Sequence, residues 1–477
     1  MQNWLNNRFI PMDYPGRTLY SSMEYKLKKM LGKKFRCKCG RVHFVPTKEI
    51  YAGLNAKERL VRFILKEGLG ANALIVSDQN TFAAAGESLS EYLAENGFKT
   101  GIEIFVSRKE KLKAEKELAL SLAKRLKKRA DFAVAVGSGT INDLVKYAAT
   151  VAGIPYISYP TAASMNGYPS SVSALSCRGI KKTLPANPPV AVFADSRILC
   201  SAPKEMRLAG LGDGISKSVC NIDWAISRLV KKEYFCALPG SLMKDVMEFY
   251  IRNAKRIASG NPQAIKGLFT CLNLAGISMV IAGSSAPASG GEHLISHFLD
   301  MMNSKRGREL NLHGVQVGIA TVLTAKLYEE LLNLDISRLS IEKLKKHYLR
   351  GNLPRKWFYK FYGREMGGEV YREFIKKYPA WSGKEKEILF ILKNWSRIRQ
   401  SIKNALIPGS LLEKILQDAG HPVSFSRLGI SQKDLKDALL HARELRARYT
   451  VLDLAFDLGI LEDFADRYLR NRIKLRG

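Results

Sequence analysis

The sequence predicts an α/β N-terminal half built on a parallel Rossmann-like sheet, followed by an all-α C-terminal half. Three observations predict it. Between residues 74 and 160, short β-branched runs alternate with stretches of helical period, as parallel strands joined by crossover helices do. Beyond Pro203, long helical periods follow one another with no such run between them. The 477 residues, 46% hydrophobic and 25% charged, suit two or three globular domains and exclude disorder for most of the chain.

Element by element, residues 1–50 read as an irregular extension in which only 37-CKCGRVHFV suggests a strand or hairpin. The strands are then 74-LIVSD, 101-GIEIFV, 132-FAVAVG, 156-YISYP and 190-VAVFA, with helical patterns at 82–96, 109–128 and 141–152 between them. The texture changes near 200–205, which sets a domain boundary at 203/204. Residues 1–203 are the α/β part and residues 204–477 the helical part. Helical periods there cover 241–258, 263–284, 314–333, 385–405 and 432–458.

Composition narrows the setting. Seven cysteines, an odd number in so long a chain, argue against a disulfide scaffold and fit a reducing, cytoplasmic location. The opening residues lack a basic stretch leading into an apolar run, so no secretory signal is expected. The most apolar stretch, 274-LAGISMVIAGSSAPASGG, is broken by Gly, Ser and Pro short of the ~20 residues of a membrane span. Seventy-six Lys and Arg against 44 Asp and Glu give +32. That field attracts phosphates on metabolites, nucleic acid or lipid headgroups, but it equally describes a solvated basic surface.

Three motifs bear on chemistry. In 134-VAVGSGTINDLVKYAA, Gly137 and Gly139 stand between a strand and a helix, where free N–H groups and the helix dipole suit a phosphate. Asn142 breaks the G-x-G-x-x-G fingerprint, and a plain glycine turn with Asp143 near the helix start remains the competing reading. Next, Asp213, His293, His297 and His313 gather one carboxylate and three of the chain's seven imidazoles into short windows. They suit a divalent metal with an open position, or else capping and core histidines. Finally, Cys37, Cys39 and His43 lack a second cysteine pair and do not have zinc-finger spacing, so no metal is expected there.

Together, VGSGTINDLVKYA, PTAAS with its following glycine and serines, RLAGLGDGISK, GGEHLISHFLD and LHGVQVGIAT resemble the bacterial glycerol-1-phosphate dehydrogenases. These lie within the superfamily of iron-dependent alcohol dehydrogenases and dehydroquinate synthases. The resemblance implies an active site in an interdomain cleft, and reduction of dihydroxyacetone phosphate to sn-glycerol 1-phosphate with NADH or NADPH. It also implies one divalent metal, zinc or nickel, held by Asp213, His293 and His313. Gly137, Ser138, Gly139, Thr140 and Ile141 match the pyrophosphate loop, Thr161, Ser164 and Ser170 further cofactor contacts, and Asp78 the acid that meets the adenosine ribose. NAD is therefore favoured over NADP, since a carboxylate there repels a 2′-phosphate.

His297 matches a substrate-contacting histidine. Asn166 stands where the family has an aspartate that touches substrate, which keeps size and hydrogen bonding but loses the charge. Lys217, four residues after Asp213, is expected from spacing and charge to meet the substrate phosphate. A homo-oligomer, a dimer, and weak association with anionic surfaces complete the expectation. The alternatives are another enzyme of the superfamily acting on a different alcohol, polyol or sugar phosphate, and a non-enzymatic role of the basic surface.

Overall fold

A computed structural model describes residues 19–106, 112–177 and 179–474, with side chains described to residue 470. The opening residues judged for a signal, and the first three of the expected helical stretch 109–128, lie outside these. The sheet is built as the β-branched runs require. Its six strands are β3 (Glu49–Gly53), β4 (Asn72–Asp78), β5 (Lys99–Phe105), β6 (Phe132–Val136), β7 (Tyr156–Tyr159) and β10 (Ala191–Asp195), in the order β3-β10-β7-β6-β4-β5. Every pairing in it is parallel.

Alternate residues bury on opposite faces, as a pleated strand covered on both sides demands. Ile75, Val134 and Phe193 join a core with Leu60 and Ile64 of α2 (Ala56–Glu67) and Leu89 and Leu93 of α3 (Glu87–Glu95). Leu74, Val76 and Ala135 join another with Leu122 and Leu126 of α4 (Lys116–Arg129) and Leu144 and Val145 of α5 (Gly139–Ala152). A small two-stranded sheet, β8 (Val172–Cys177) with β9 (Ile180–Pro185), was not foreseen.

The described part of the N-terminal extension adds a helix to the strand or hairpin expected around 37-CKCGRVHFV. It holds α1 (Leu19–Met30) and the antiparallel hairpin of β1 (Lys34–Arg36) and β2 (Val42–Phe44). α1 was missed because its basic residues hide a narrow apolar stripe, in which Met23, Leu27 and Met30 alone are buried.

After α6 (Ser196–Ser201) come α7 (Lys204–Ile215), α8 (Lys217–Lys231), α9 (Ala237–Ala258), α10 (Pro262–Ala282), α11 (Gly291–Lys305) and α12 (His313–Leu332). Helices continue to Lys474, with no strand among the described residues beyond Asp195. By length and composition α10 can cross a membrane, which the reading from residue 274 onward missed because the helix starts at Pro262. Its apolar window is 89% buried inside the fold, the condition of a core helix.

By compactness the chain forms two units. One takes the described residues up to Cys177, Lys181–Gly214 and Cys236–Ser285. The other takes Gly179 and Ile180, Ile215–Phe235 and the residues from Ala286 on.

Candidate active site

In the first unit, the strand order turns at β4 and β6, since β4 leads to β5 on one side and β6 to β7 on the other. Ligand crevices in open parallel sheets lie at the carboxyl ends of strands at such a point. Asp78 and Gly137 stand there, each two residues beyond the paired Val76 and Ala135. Gly137 passes the chain from β6 into α5, and the Gly137 N–H donates to the Tyr159 carbonyl at 3.2 Å. Ser138 occupies the N-cap of α5 without its side chain capping it. The N–H groups of Gly139, Thr140 and Ile141 therefore donate no bond to that hydroxyl, and with the helix dipole they make a cradle that suits an anion.

Asp78 is also a helix cap. Its Oδ1 accepts from the Thr81 N–H at 2.8 Å, and Thr81 Oγ1 accepts from the Asp78 N–H at 3.1 Å, a closed capping box. One carboxylate oxygen is thus spent on the fold, a competing role already visible in its position before a helix.

Residues 161–170 form a buried loop. The Thr161 N–H donates to the Gly137 carbonyl at 3.4 Å, which ties the loop to the cradle. Ser164 Oγ and the Tyr168 hydroxyl lie 3.4 Å apart. Ser170 is fully buried, and its hydroxyl bonds to the carbonyls of Gly167 and Val172. It also accepts from Lys146 Nζ at 2.9 Å. Ser170, expected to contact the cofactor, thus braces the loop.

Lys146 was missed by the sequence reading. Its ammonium also donates to the Gly167 and Val172 carbonyls, and Asp143 lies 3.9 Å away. Burial pushes the Lys146 pKa down to about 8 and that of Asp143 up to about 6, with Lys146 and Lys181 partly offsetting the latter. Nothing in the helical pattern of 141–152 distinguished this lysine from a solvated one.

The loop presses on two helices at glycines. A Cβ on Gly210 of α7 would lie 2.0 Å from the Ala163 carbonyl oxygen, and one on Gly276 of α10 would lie 2.6 Å from that of Asn166. Only glycine admits backbone so close. The approach sets Asn166 on Asp213: the Asn166 N–H donates to Asp213 Oδ2 and its Nδ2 to Oδ1, both at 2.9 Å. Asp213 is 2% exposed and Asn166 9%. A buried carboxylate is thereby oriented by two donors, as carboxylate ligands of metals are. The sequence reading took Asn166 for a substrate contact; the structure shows it gripping the expected metal ligand.

In the second unit, His293 and His297 stand one turn apart on α11, and His313 begins α12. The ring centroids of His293 and His313 are 5.2 Å apart, as are those of His297 and His313. His293 Nδ1 donates to the buried carboxylate of Glu292 at 2.7 Å, and His313 Nδ1 lies 3.2 Å from Ser296 Oγ. Such partners fix the ring orientation. Glu292 was legible as the residue beside His293, but its role was not. The donor atoms drawn within 4.8 Å of one another are those of His297, Asp300 and His313, where Asp300 accepts from Gln316 Nε2. Asp300 escaped the sequence reading as one of many acids. Lys217, expected to meet the substrate phosphate, is 2% exposed and donates to Ser216 Oγ and the Ala288 carbonyl.

Comparison with known proteins bears on this arrangement. A family model described as iron-containing alcohol dehydrogenase matches residues 51–203. The chain is 32% identical over 412 residues to an NAD(P)+ glycerol-1-phosphate dehydrogenase of Bacillus velezensis, covering 86% of this chain and 91% of that one. It is 36% identical over 282 residues to the protein of the same name from Pyrococcus horikoshii, covering 59% of this chain and 78% of that one. Among solved structures, a probable glycerol dehydrogenase from Sinorhizobium meliloti 1021 superposes with a TM-score of 0.56 at 16% identity, covering 88% of this chain and 98% of that one. At that identity the likeness is one of fold.

Proposed function

Since this chain belongs to the glycerol-1-phosphate dehydrogenase family, we propose that it reduces dihydroxyacetone phosphate to sn-glycerol 1-phosphate as an NAD(P)-dependent oxidoreductase. The observation that carries the reading is a relative of that name matched along 91% of its length. The anion cradle of Gly137, Ser138 and the α5 N-terminus supports a dinucleotide on the sheet's crevice. There the chain's part is to bind the pyrophosphate and orient the nicotinamide, while the cofactor supplies the hydride.

The chemistry of the residues assigned to a divalent ion suits one. Asp213 is a buried carboxylate held by two N–H donors, and His293 and His313 are imidazoles whose Nδ1 atoms are engaged. Carboxylate plus two imidazoles is the donor set of an open catalytic zinc or nickel position. Bound there, such an ion supplies Lewis-acid polarisation of the ketone oxygen as negative charge develops on it. His297 is assigned to the substrate hydroxyls, where it holds or moves a proton.

A second assignment of the ligands has an observation in its favour, the close approach of His297, Asp300 and His313. In it His297 is a ligand instead of a substrate contact.

The test is oxidation of NADH and NADPH by dihydroxyacetone phosphate before and after chelation, with the chirality of the product determined. Asp213→Asn and His313→Ala should each lose the ion assigned to the reductase site, and turnover with it, while staying folded. Turnover that survives with no metal by elemental analysis defeats the assignment. Turnover only on another polyol or sugar phosphate moves the chain to a different activity within the superfamily.

A further inference from the structure

The hairpin of β1 and β2 pairs Phe35 with His43 and Arg36 with Val42, so it closes over Cys37–Arg41. Two main-chain bonds fix its tip. The Cys37 N–H donates to the Arg41 carbonyl and the Gly40 N–H to the Cys37 carbonyl, both at 3.0 Å. Gly40 takes a φ of +86°, open to glycine and strained for other residues. The turn sets Cys39 Sγ 3.3 Å from His43 Nε2. A third thiol arrives from far along the chain: Cys236, at the N-cap of α9, places its Sγ 3.6 Å from both Cys37 Sγ and His43 Nε2. The four donor atoms all lie within 4.8 Å of one another. Cys236 is fully buried and His43 nearly so.

We propose that Cys37, Cys39, His43 and Cys236 hold one zinc ion in a closed, structural site that is independent of the ion assigned to the reductase chemistry. Tetrahedral zinc with Zn–S of ~2.3 Å and Zn–N of ~2.05 Å requires S···S separations of about 3.8 Å and S···N separations of about 3.6 Å. Three of the six edges measure 3.6 Å between thiols and 3.3 and 3.6 Å from thiol to imidazole, close to these values, and the other three lie within 4.8 Å. The set is too tight to enclose a cluster of several metals. Three soft thiolates with one imidazole select zinc over harder cations.

A disulfide does not account for the geometry, because its sulfurs sit ~2.05 Å apart. The ion ties the N-terminal hairpin to the start of α9, joining segments 193 residues apart. That distance is why C-x-C with no neighbouring pair did not read as a metal site: the missing ligand comes from the fold.

The experiment uses the full chain, expressed with zinc and purified without chelator. A triple variant, Asp213→Asn/His293→Ala/His313→Ala, is expected to retain one zinc per chain, released when a mercurial blocks the thiols. Cys37→Ser and Cys236→Ser, on that background, are each expected to lose it and to melt at lower temperature. Where a serine variant does not fold, cobalt substitution of the otherwise unaltered triple variant decides. Thiolate-to-cobalt charge transfer with intense tetrahedral d–d bands supports the site. A triple variant free of zinc, a cobalt spectrum without thiolate bands, or a mapped Cys37–Cys236 disulfide overturns it. Because the reductase ligands are already removed, failure here leaves the reductase reading standing, and the reverse also holds.

Discussion

Asn166→Ala separates two roles for one residue. The Asn166 side chain donates to Asp213 Oδ1 at 2.9 Å, and Asp213 is 2% exposed, so no solvent replaces the lost donor. Hydrogen bonds to charged groups contribute roughly 1.5–3 kcal/mol, and an unsatisfied buried acceptor keeps its desolvation cost. The Asn166 backbone N–H still donates to Oδ2, which limits the loss to the side-chain bond. Metal-free protein should therefore lose roughly 1.5–3 kcal/mol, a fall of several degrees in Tm at ~2–4 °C per kcal/mol for a unit of this size. Removing the partner that orients a metal ligand should also weaken metal affinity by about 10–100-fold. The assays are calorimetry in chelator and metal competition titration. If Tm in chelator moves by less than about a degree, metal affinity stays within about twofold and only the Michaelis constant for substrate rises, the bond to Asp213 is incidental. Asn166 is then a substrate contact.

Three further predictions are independent of that one. His297→Ala should keep its metal and lose turnover or substrate affinity; loss of the metal instead establishes His297, Asp300 and His313 as the ligand set. Asp143 has its folded pKa raised from 3.8 to about 6, so ionising it costs the fold about 3 kcal/mol at 1.36 kcal/mol per unit. The sign is that of a raised carboxyl: the cost is absent below pH 4, grows through pH 4–6 and is complete above. Asp143→Asn should thus be more stable than the parent by about 3 kcal/mol at pH 7 and by almost nothing at pH 4, and a pH-independent difference in melting temperature refutes the burial argument. Asp78→Ser keeps a capping oxygen for Thr81 but removes the charge, so it should erode a preference for NADH over NADPH with little change in Tm, whereas Asp78→Ala should cost a further ~1 kcal/mol of stability. Unchanged cofactor preference in both variants makes Asp78 a cap alone.

What the sequence determined by itself was whatever depends on local order. Strands such as 132-FAVAVG and the helix opening at Gly139 were legible because period and turn chemistry act within a few residues. The same holds for the change to helices after Pro203, and His293 and His297 share a helix face by their spacing alone. The N-terminal hairpin was no more than suggested, because its three-residue strands carry little period, and α1 showed too narrow a stripe. Only the tertiary structure decided which side chains meet. It placed Asn166 on Asp213 across 47 residues, spent Lys146 on bracing the loop, turned Lys217 toward protein acceptors, and brought Cys236 to the CKCG hairpin. The physical reason is the same in each case. A buried donor, acceptor or thiol must find its partner wherever the fold supplies one, and that pairing leaves no mark on the spacing of either residue.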